Sequence, residues 1–332
     1  MTHFGVDAWE WPPDAVLTGD RLRVRRVNHH DRRVILSGSG ADDKRHILIR
    51  INDGESEPTL VVTRGVGVMV RHLAEPGHEP GRFIDIVCHE TGGHAAFCLI
   101  GDEIARGLAV EGTSPSDVVN HVISRWRHFW GRVPQSSLTL PQQIGLFAEL
   151  WFLHTWLGRN GDIAAAVGRW RGPTGARHDF EWEGYSIEVK ATTSVNRLVH
   201  RINGVNQLVP PDTGLLHLFS LQVRQEEGAA NSLPSLVERI RSLAAGTPNT
   251  AMDFEDKLAR IGYASSHEAE YVTIRLRVSS EGLYRVNRDF PRIVPSSFSL
   301  GVPSGVEAIE YDVNLSGFEH LRVASRPSEM PV

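Results

Sequence analysis

Cysteine is scarce in this sequence. Only Cys88 and Cys98 occur in 332 residues, so no disulfide framework can hold the fold together, and a reducing compartment fits. Long apolar runs are missing as well. None approaches the roughly 18 residues that a bilayer-spanning helix needs, so no membrane partner is expected. The opening stretch MTHFGVDAWEWPPD lacks a basic segment followed by an apolar run; a secretory leader is therefore not expected, and the cytoplasm is the expected location. Positive charge is in deficit, with a net charge of −5. That argues against a protein that coats nucleic acid non-specifically, because phosphate binding is driven by Lys and Arg. An enzyme gripping nucleic acid along one local basic groove stays open. Neither the Gly-Lys-Ser/Thr ending of a phosphate loop nor a Gly-X-Ser-X-Gly elbow occurs, so those two chemistries have no support. The stretch CHETGGHAAFC gathers Cys88, His89, His94 and Cys98 without HExxH or paired CxxC spacing. A hairpin turning at Gly92-Gly93 with two buried cysteines is a simpler reading than zinc.

With 41% hydrophobic and 23% charged residues, the chain can bury one large core or two smaller ones. From about residue 20 to 110 it reads as strands: RLRVRRV, RRVILSG, HILIRIN, TLVVTRGVGVMV, FIDIVCHE and AAFCLIG are short, rich in β-branched residues and separated by turn residues. TSPSDVVNHVISRWRHFW then changes period. Ser114 suits an N-cap and Pro115 the first helical position, while Val118, Val122, Trp126 and Phe129 recur at helical spacing. VPQSSLTLP, at 133–141, is a proline-bearing linker. Beyond it the order is a helix over QQIGLFAELWFLHTWLG, stopping at Gly158, a hairpin, and a strand over GLLHLFSLQV. A helix opened by SLPSLVERI follows, then one at FEDKLARIG and strands at YVTIRLRV, GLYRV and GVEAIEYDV. The expected class is α/β with an α+β mixed sheet. The expected division is an N-terminal β-rich module (1–135), a core (136–245) and a strand-rich C-terminal extension (246–332).

The hairpin HDFEWEGYSIEVK, residues 178–190, carries the chemistry. Side chains alternate along a strand. Glu183-Gly184 as a two-residue turn sets Trp182 against Tyr185, Glu181 against Ser186, Phe180 against Ile187 and Asp179 against Glu188. Lys190 follows on the polar face. Opposed carboxylates repel unless a proton or cation lies between them, although the same pattern also suits an amphipathic hairpin with its polar face in water. Upstream, Glu149 is the only carboxylate in a helix that is apolar nearly all round. Such a helix is buried, and a buried carboxylate needs a cationic partner. One helix thus brings an acid inward shortly before a hairpin bearing two acids and a lysine.

That constellation resembles the PD-(D/E)XK phosphodiesterase superfamily, the restriction-endonuclease-like fold. More narrowly it is similar to the bacterial group known as PD-(D/E)XK motif proteins, through IGLFAEL, GPTGARHDF, IEVKATTS, HRINGVNQL, LHLFSLQV and DFPRI. His178 stands where the motif has proline. The resemblance implies a restriction-endonuclease-like core and a nuclease acting on DNA, with RNA left open. It implies Asp179, Glu188 and the Val189 backbone carbonyl as ligands to one or two Mg²⁺ ions, with Mn²⁺ as the alternative. Lys190 and Glu149 would act as catalytic groups, and Gln207, in an expected following helix, would border the site. Between residues 169 and 207, six basic residues face four acidic ones. Arg171, Arg177, Arg197, His200 and Arg201 are the candidate nucleic-acid contacts. A role against foreign DNA beside other bacterial defence subunits, and a homodimer, are further implications. The competing reading is a nuclease fold of weak or no activity, kept to bind nucleic acid or to scaffold a complex.

Overall fold

The computed structural model describes residues 4, 6–10, 22–27, 34–40, 42, 44–62, 65–74, 80–130 and 136–330. The chain divides into two compact units, Met1–Ser137 with Leu258–His267, and Leu138–Lys257 with Glu268–Val332. Part of the proline-bearing linker at 133–141 and the side chain of Phe129 lie outside the described residues.

The first unit is built on an antiparallel sheet of β1 (Arg23–Arg26), β2 (Ile35–Ser39), β3 (Arg45–Ile51), β4 (Val61–Val62), β5 (Val66–Leu73) and β6 (Gly81–Cys88), ordered β1-β2-β3-β6-β5-β4. The five stretches from RLRVRRV to FIDIVCHE all carry strand here. AAFCLIG does not. It opens α1 (His94–Leu108), whose Phe97, Ile100, Gly101, Ile104 and Ala105 are buried at helical spacing. AAFCLIG alone is too short to show its period, which becomes helical only when Asp102 through Leu108 are included. The hairpin expected at Gly92-Gly93 is instead a 3-10 turn, Thr91–Gly93, between β6 and α1. Cys88 is buried as expected, and burial pushes its thiol up to about 12; Cys98 is only half-buried. The helix expected over TSPSDVVNHVISRWRHFW is α2 (Pro115–Trp130), with Val119, Val122, Ile123 and Trp126 on its buried face.

The second unit contains a five-stranded mixed sheet, ordered β13-β11-β10-β8-β7 and built from β7 (Phe180–Trp182), β8 (Tyr185–Thr192), β10 (Leu215–Gln225), β11 (Leu276–Arg285) and β13 (Arg322–Ala324). β8 and β10 run parallel, and the other neighbours are antiparallel. A two-stranded sheet pairs β9 (Val199–Ile202) with β12 (Tyr311–Asn314). The helices are α3 (Leu140–Trp151), α4 (Ile163–Arg169), α5 (Leu233–Ala244), α6 (Pro248–Ile261) and α7 (Glu268–Tyr271), the last residues of α6 being grouped with the first unit. This is the expected mixed α/β fold. Some strand limits differ. YVTIRLRV becomes strand only at Leu276, because Tyr271 still closes α7, and only the last part of GVEAIEYDV pairs. No helix follows β9. Residues 205–208 form a turn, since Gly204 before it and Pro210-Pro211 after it leave no room for helical hydrogen bonds.

α3 starts at a capping box, where the Thr139 N–H bonds Gln142 Oε1 at 2.9 Å. It runs into a π-helical turn, Phe152–Leu157, and then a 3-10 turn, Gly158–Asn160, so the helical run ends not at the expected Gly158 but at Gly161, whose φ of 84° is left-handed. The π-helical turn seats Phe152 against Phe180 (5.0 Å between ring centroids) and Phe219 (4.8 Å), and Trp156 against Phe219 (5.1 Å). Those aromatic contacts fasten the helix that carries Glu149 to β7, which follows Asp179, and to β10, the parallel neighbour of the strand that carries Glu188.

Candidate active site

The hairpin register is the one the alternation dictates: Phe180 pairs with Ile187, Glu181 with Ser186 and Trp182 with Tyr185. Gly184 takes the left-handed φ of 69° that the turn demands. The ladder stops at Phe180, however, so Asp179 does not face Glu188 within it. The Asp179 carbonyl accepts the N–H groups of Arg171 (2.7 Å) and Gly172 (3.1 Å). Its carboxylate turns to the open edge of β8, where Oδ2 accepts the Val189 N–H at 2.7 Å. A strand residue sends its N–H and carbonyl to the same edge, so the Val189 carbonyl lies on the Asp179 side, away from β10. His178, in place of the motif proline, is buried, with Nε2 3.1 Å from the Val209 carbonyl.

Glu188 and Lys190 share one face of β8, two residues apart. The Lys190 ammonium lies 2.8 Å from Glu188 Oε1, with the Glu188 side chain 2% and the Lys190 side chain 14% exposed. Glu149 reaches the same place from α3, where its Oε2 accepts the Trp170 indole N–H at 2.7 Å. A carbon built at Gly172 as Cβ would lie 2.8 Å from Asp179 Oδ1 and 3.3 Å from Glu149 Oε2, so both carboxylates border one small space. Glu149, Asp179, Glu188, Val189 and Lys190 all line one cleft of about 860 Å³, together with Arg201, Asn203, Gln207 and Arg224. Leu140, Pro141 and Ile144 from the start of α3 form an apolar wall of this cleft.

Three carboxylates meet one ammonium here. Burial, reinforced by the charge of Asp179, pushes Glu188 up to about 8. The same two causes raise Glu149 well above the ordinary carboxylate range, against the opposing pull of the Trp170 N–H. Burial also raises Asp179, while Lys190 and the Val189 N–H oppose it. Burial pulls the Lys190 ammonium down, but Glu188 and Asp179 outweigh it and hold the group above its usual value. Such a site favours a bound proton or added positive charge.

Among the described residues no three His, Cys, Asp or Glu side chains are already gathered around one metal position. Each acid is instead held by an internal donor: Val189 N–H, Lys190 or Trp170. The donor set nevertheless fits a hard divalent cation, because it offers carboxylate and carbonyl oxygens with too little positive charge to balance them.

The other candidates are spread out. Gln207 lines the cleft from a turn, not a helix, and its Oε1 accepts the Asn203 N–H at 2.9 Å. Arg201 also lines the cleft but is ion-paired to Glu310 (2.7 Å) and Asp312 (3.3 Å). Arg171, Arg177 and Arg197 are exposed outside its lining. His200 is fully buried, with Nε2 2.7 Å from Ser220 Oγ, and does not line the cleft. Alternation along VHRI carries the signal for this: His200 and Ile202 share the face that packs inward. Trp170 and Gly172, which touch the site acids, did not stand out from the sequence as site residues. The only hint was a tryptophan and a GPTG turn set among arginines.

The family model described as "Putative PD-(D/E)XK family member, (DUF4420)" matches residues 12–316, nearly the whole chain. The chain belongs to the DUF4420 family. No curated protein and no solved structure matches it. The PD-(D/E)XK superfamily generally uses divalent metal ions, and the oxygen-rich cleft of this DUF4420 chain is chemically suited to one. Among the described residues no helix is long and apolar enough to cross a membrane.

Proposed function

We propose that this DUF4420 chain is a metal-dependent phosphodiesterase that hydrolyses DNA. The observation that carries the reading is the convergence of Asp179, Glu188, Lys190 and Glu149 on one cleft at the open edge of β8. Asp179, Glu188 and the Val189 carbonyl would hold Mg²⁺, or Mn²⁺ in its place, and Glu149 would ligate a second ion or hold Lys190 and a water. A bound ion supplies Lewis acidity toward a phosphate oxygen and toward water. Lys190, whose ammonium lies against Glu188, orients the attacking water and stabilises negative charge developing on the phosphate. Gln207 and Arg201 border the path of the strand, and exposed Arg171, Arg177 and Arg197 offer phosphate contacts outside the cleft. The resemblance to PD-(D/E)XK motif proteins supports a restriction-type role against foreign DNA, in the company of other subunits or as a homodimer.

Purified protein incubated with plasmid, linear DNA and RNA, with Mg²⁺, Mn²⁺ or a chelator, tests this. DNA cleavage is expected only with a divalent ion, and Asp179→Ala should lower the rate by about 100-fold or more. Cleavage that survives chelation, or an Asp179→Ala variant as fast as wild type, would overturn the reading. Preferential cleavage of RNA would reassign the substrate.

A further inference from the structure

We infer that Trp170–Gly172 is a positioning bracket that sets the spacing between Glu149 and Asp179; the inference rests on the nuclease reading of this site. Three consecutive residues together contact the two acids, and Gly172 approaches both. The Trp170 N–H donates to Glu149 Oε2 at 2.7 Å. The N–H groups of Arg171 and Gly172 both donate to the Asp179 carbonyl, fixing the backbone from which that carboxylate departs. The α-carbon of Gly172 faces Asp179 Oδ1 and Glu149 Oε2 so closely that a methyl group would crowd both. A backbone bridge from Trp170 to Phe180 ties the bracket to β7.

The ordinary explanation makes Trp170 a core aromatic and Gly172 a turn residue. Trp170 is indeed fully buried, and its ring lies 5.9 Å from that of Phe254. Burial alone requires only that the indole N–H find some acceptor. Here the acceptor is a carboxylate on the cleft wall. The packed ring cannot follow Glu149 if it swings, so the hydrogen bond holds Oε2 in place. Gly172 is not at positive φ, so no backbone strain requires glycine there. What an alanine would meet is the pair of carboxylates.

The test uses the full chain and two readouts. In the metal-free protein, the Trp170 indole N–H resonance is identified by its loss in Trp170→Phe. It should shift in Glu149→Gln, and an unmoved resonance overturns the bracket. By calorimetry, Trp170→Phe and Gly172→Ala should each weaken Mn²⁺ binding by about 10-fold or more. Gly172→Ala removes no core side chain and so serves where Trp170→Phe fails to fold. The effect of Trp170→Phe should largely vanish in a Glu149→Gln background. Equal losses in both backgrounds would make Trp170 a packing residue and overturn the proposal. A wild-type protein that binds no divalent ion would sink the nuclease reading instead, and the indole resonance would still decide whether the bracket exists.

Discussion

Glu188 shows how the fold loads the site against itself. With 2% of its side chain exposed and its carboxyl pushed up to about 8, it keeps a proton across a pH range in which the unfolded chain has lost it. The folded state then binds more protons than the unfolded state, so metal-free stability should fall as pH rises from the ordinary glutamate range toward 8. Lys190 has the same sign of dependence, displaced to higher pH, because its value is raised as well. Its raised value keeps the ammonium's contribution until pH passes the ordinary lysine range. A divalent ion competes with the Glu188 proton. The ion-induced rise in Tm, read by differential scanning fluorimetry, should therefore be larger at about pH 9 than at about pH 6. A rise independent of pH would mean that Glu188 is not a ligand. The proton is invisible in the sequence, where Glu188 and Glu181 look alike; burial of one and partial exposure of the other separate them.

At the scale of elements, the site depends on how α3 is held against β7 and β8. Phe152 is fully buried between Phe180 and Phe219. Phe152→Ala should cost about 3–5 kcal/mol of stability in a urea melt and weaken ion binding by loosening the seat of Glu149. Unchanged ion affinity in the folded variant would show that α3 is positioned by other contacts. The hairpin was legible because strict alternation and a Gly turn leave one register that buries Phe180, Ile187 and Tyr185. The α1 helix was not, because its first residues are also β-formers and its period shows only over a longer span. The Asp179–Val189 contact was hidden for a different reason. Register arguments extend a ladder, whereas here backbone bonds from Arg171 and Gly172 draw Asp179 out of it.

Across the whole molecule, charge is the open question for a protein that must meet a polyanion. The chain is −5 overall, yet exposed arginines flank the hairpin. Arg171→Ala and Arg177→Ala should weaken DNA binding evenly across sequences and each lower the salt dependence by about one unit of slope, measured by fluorescence anisotropy. Arg201 is already engaged by Glu310 and Asp312, so its substitution should matter less than that of either loop arginine. An unaltered salt slope in the Arg171 and Arg177 variants would place the DNA path elsewhere. Composition made the local basic stretch visible, but only the folded chain separates an exposed Arg177 from a buried His200.

The most direct measurement of the central claim is the rate of Mg²⁺- or Mn²⁺-dependent DNA cleavage by wild type beside Lys190→Ala, each checked for a folded melt. Lys190 is the ammonium that meets Glu188 inside the cleft, and its removal should reduce the rate by about 100-fold or more while leaving DNA affinity within a few-fold. Equal rates for the two proteins would contradict the assignment of this cleft as a phosphodiesterase active site.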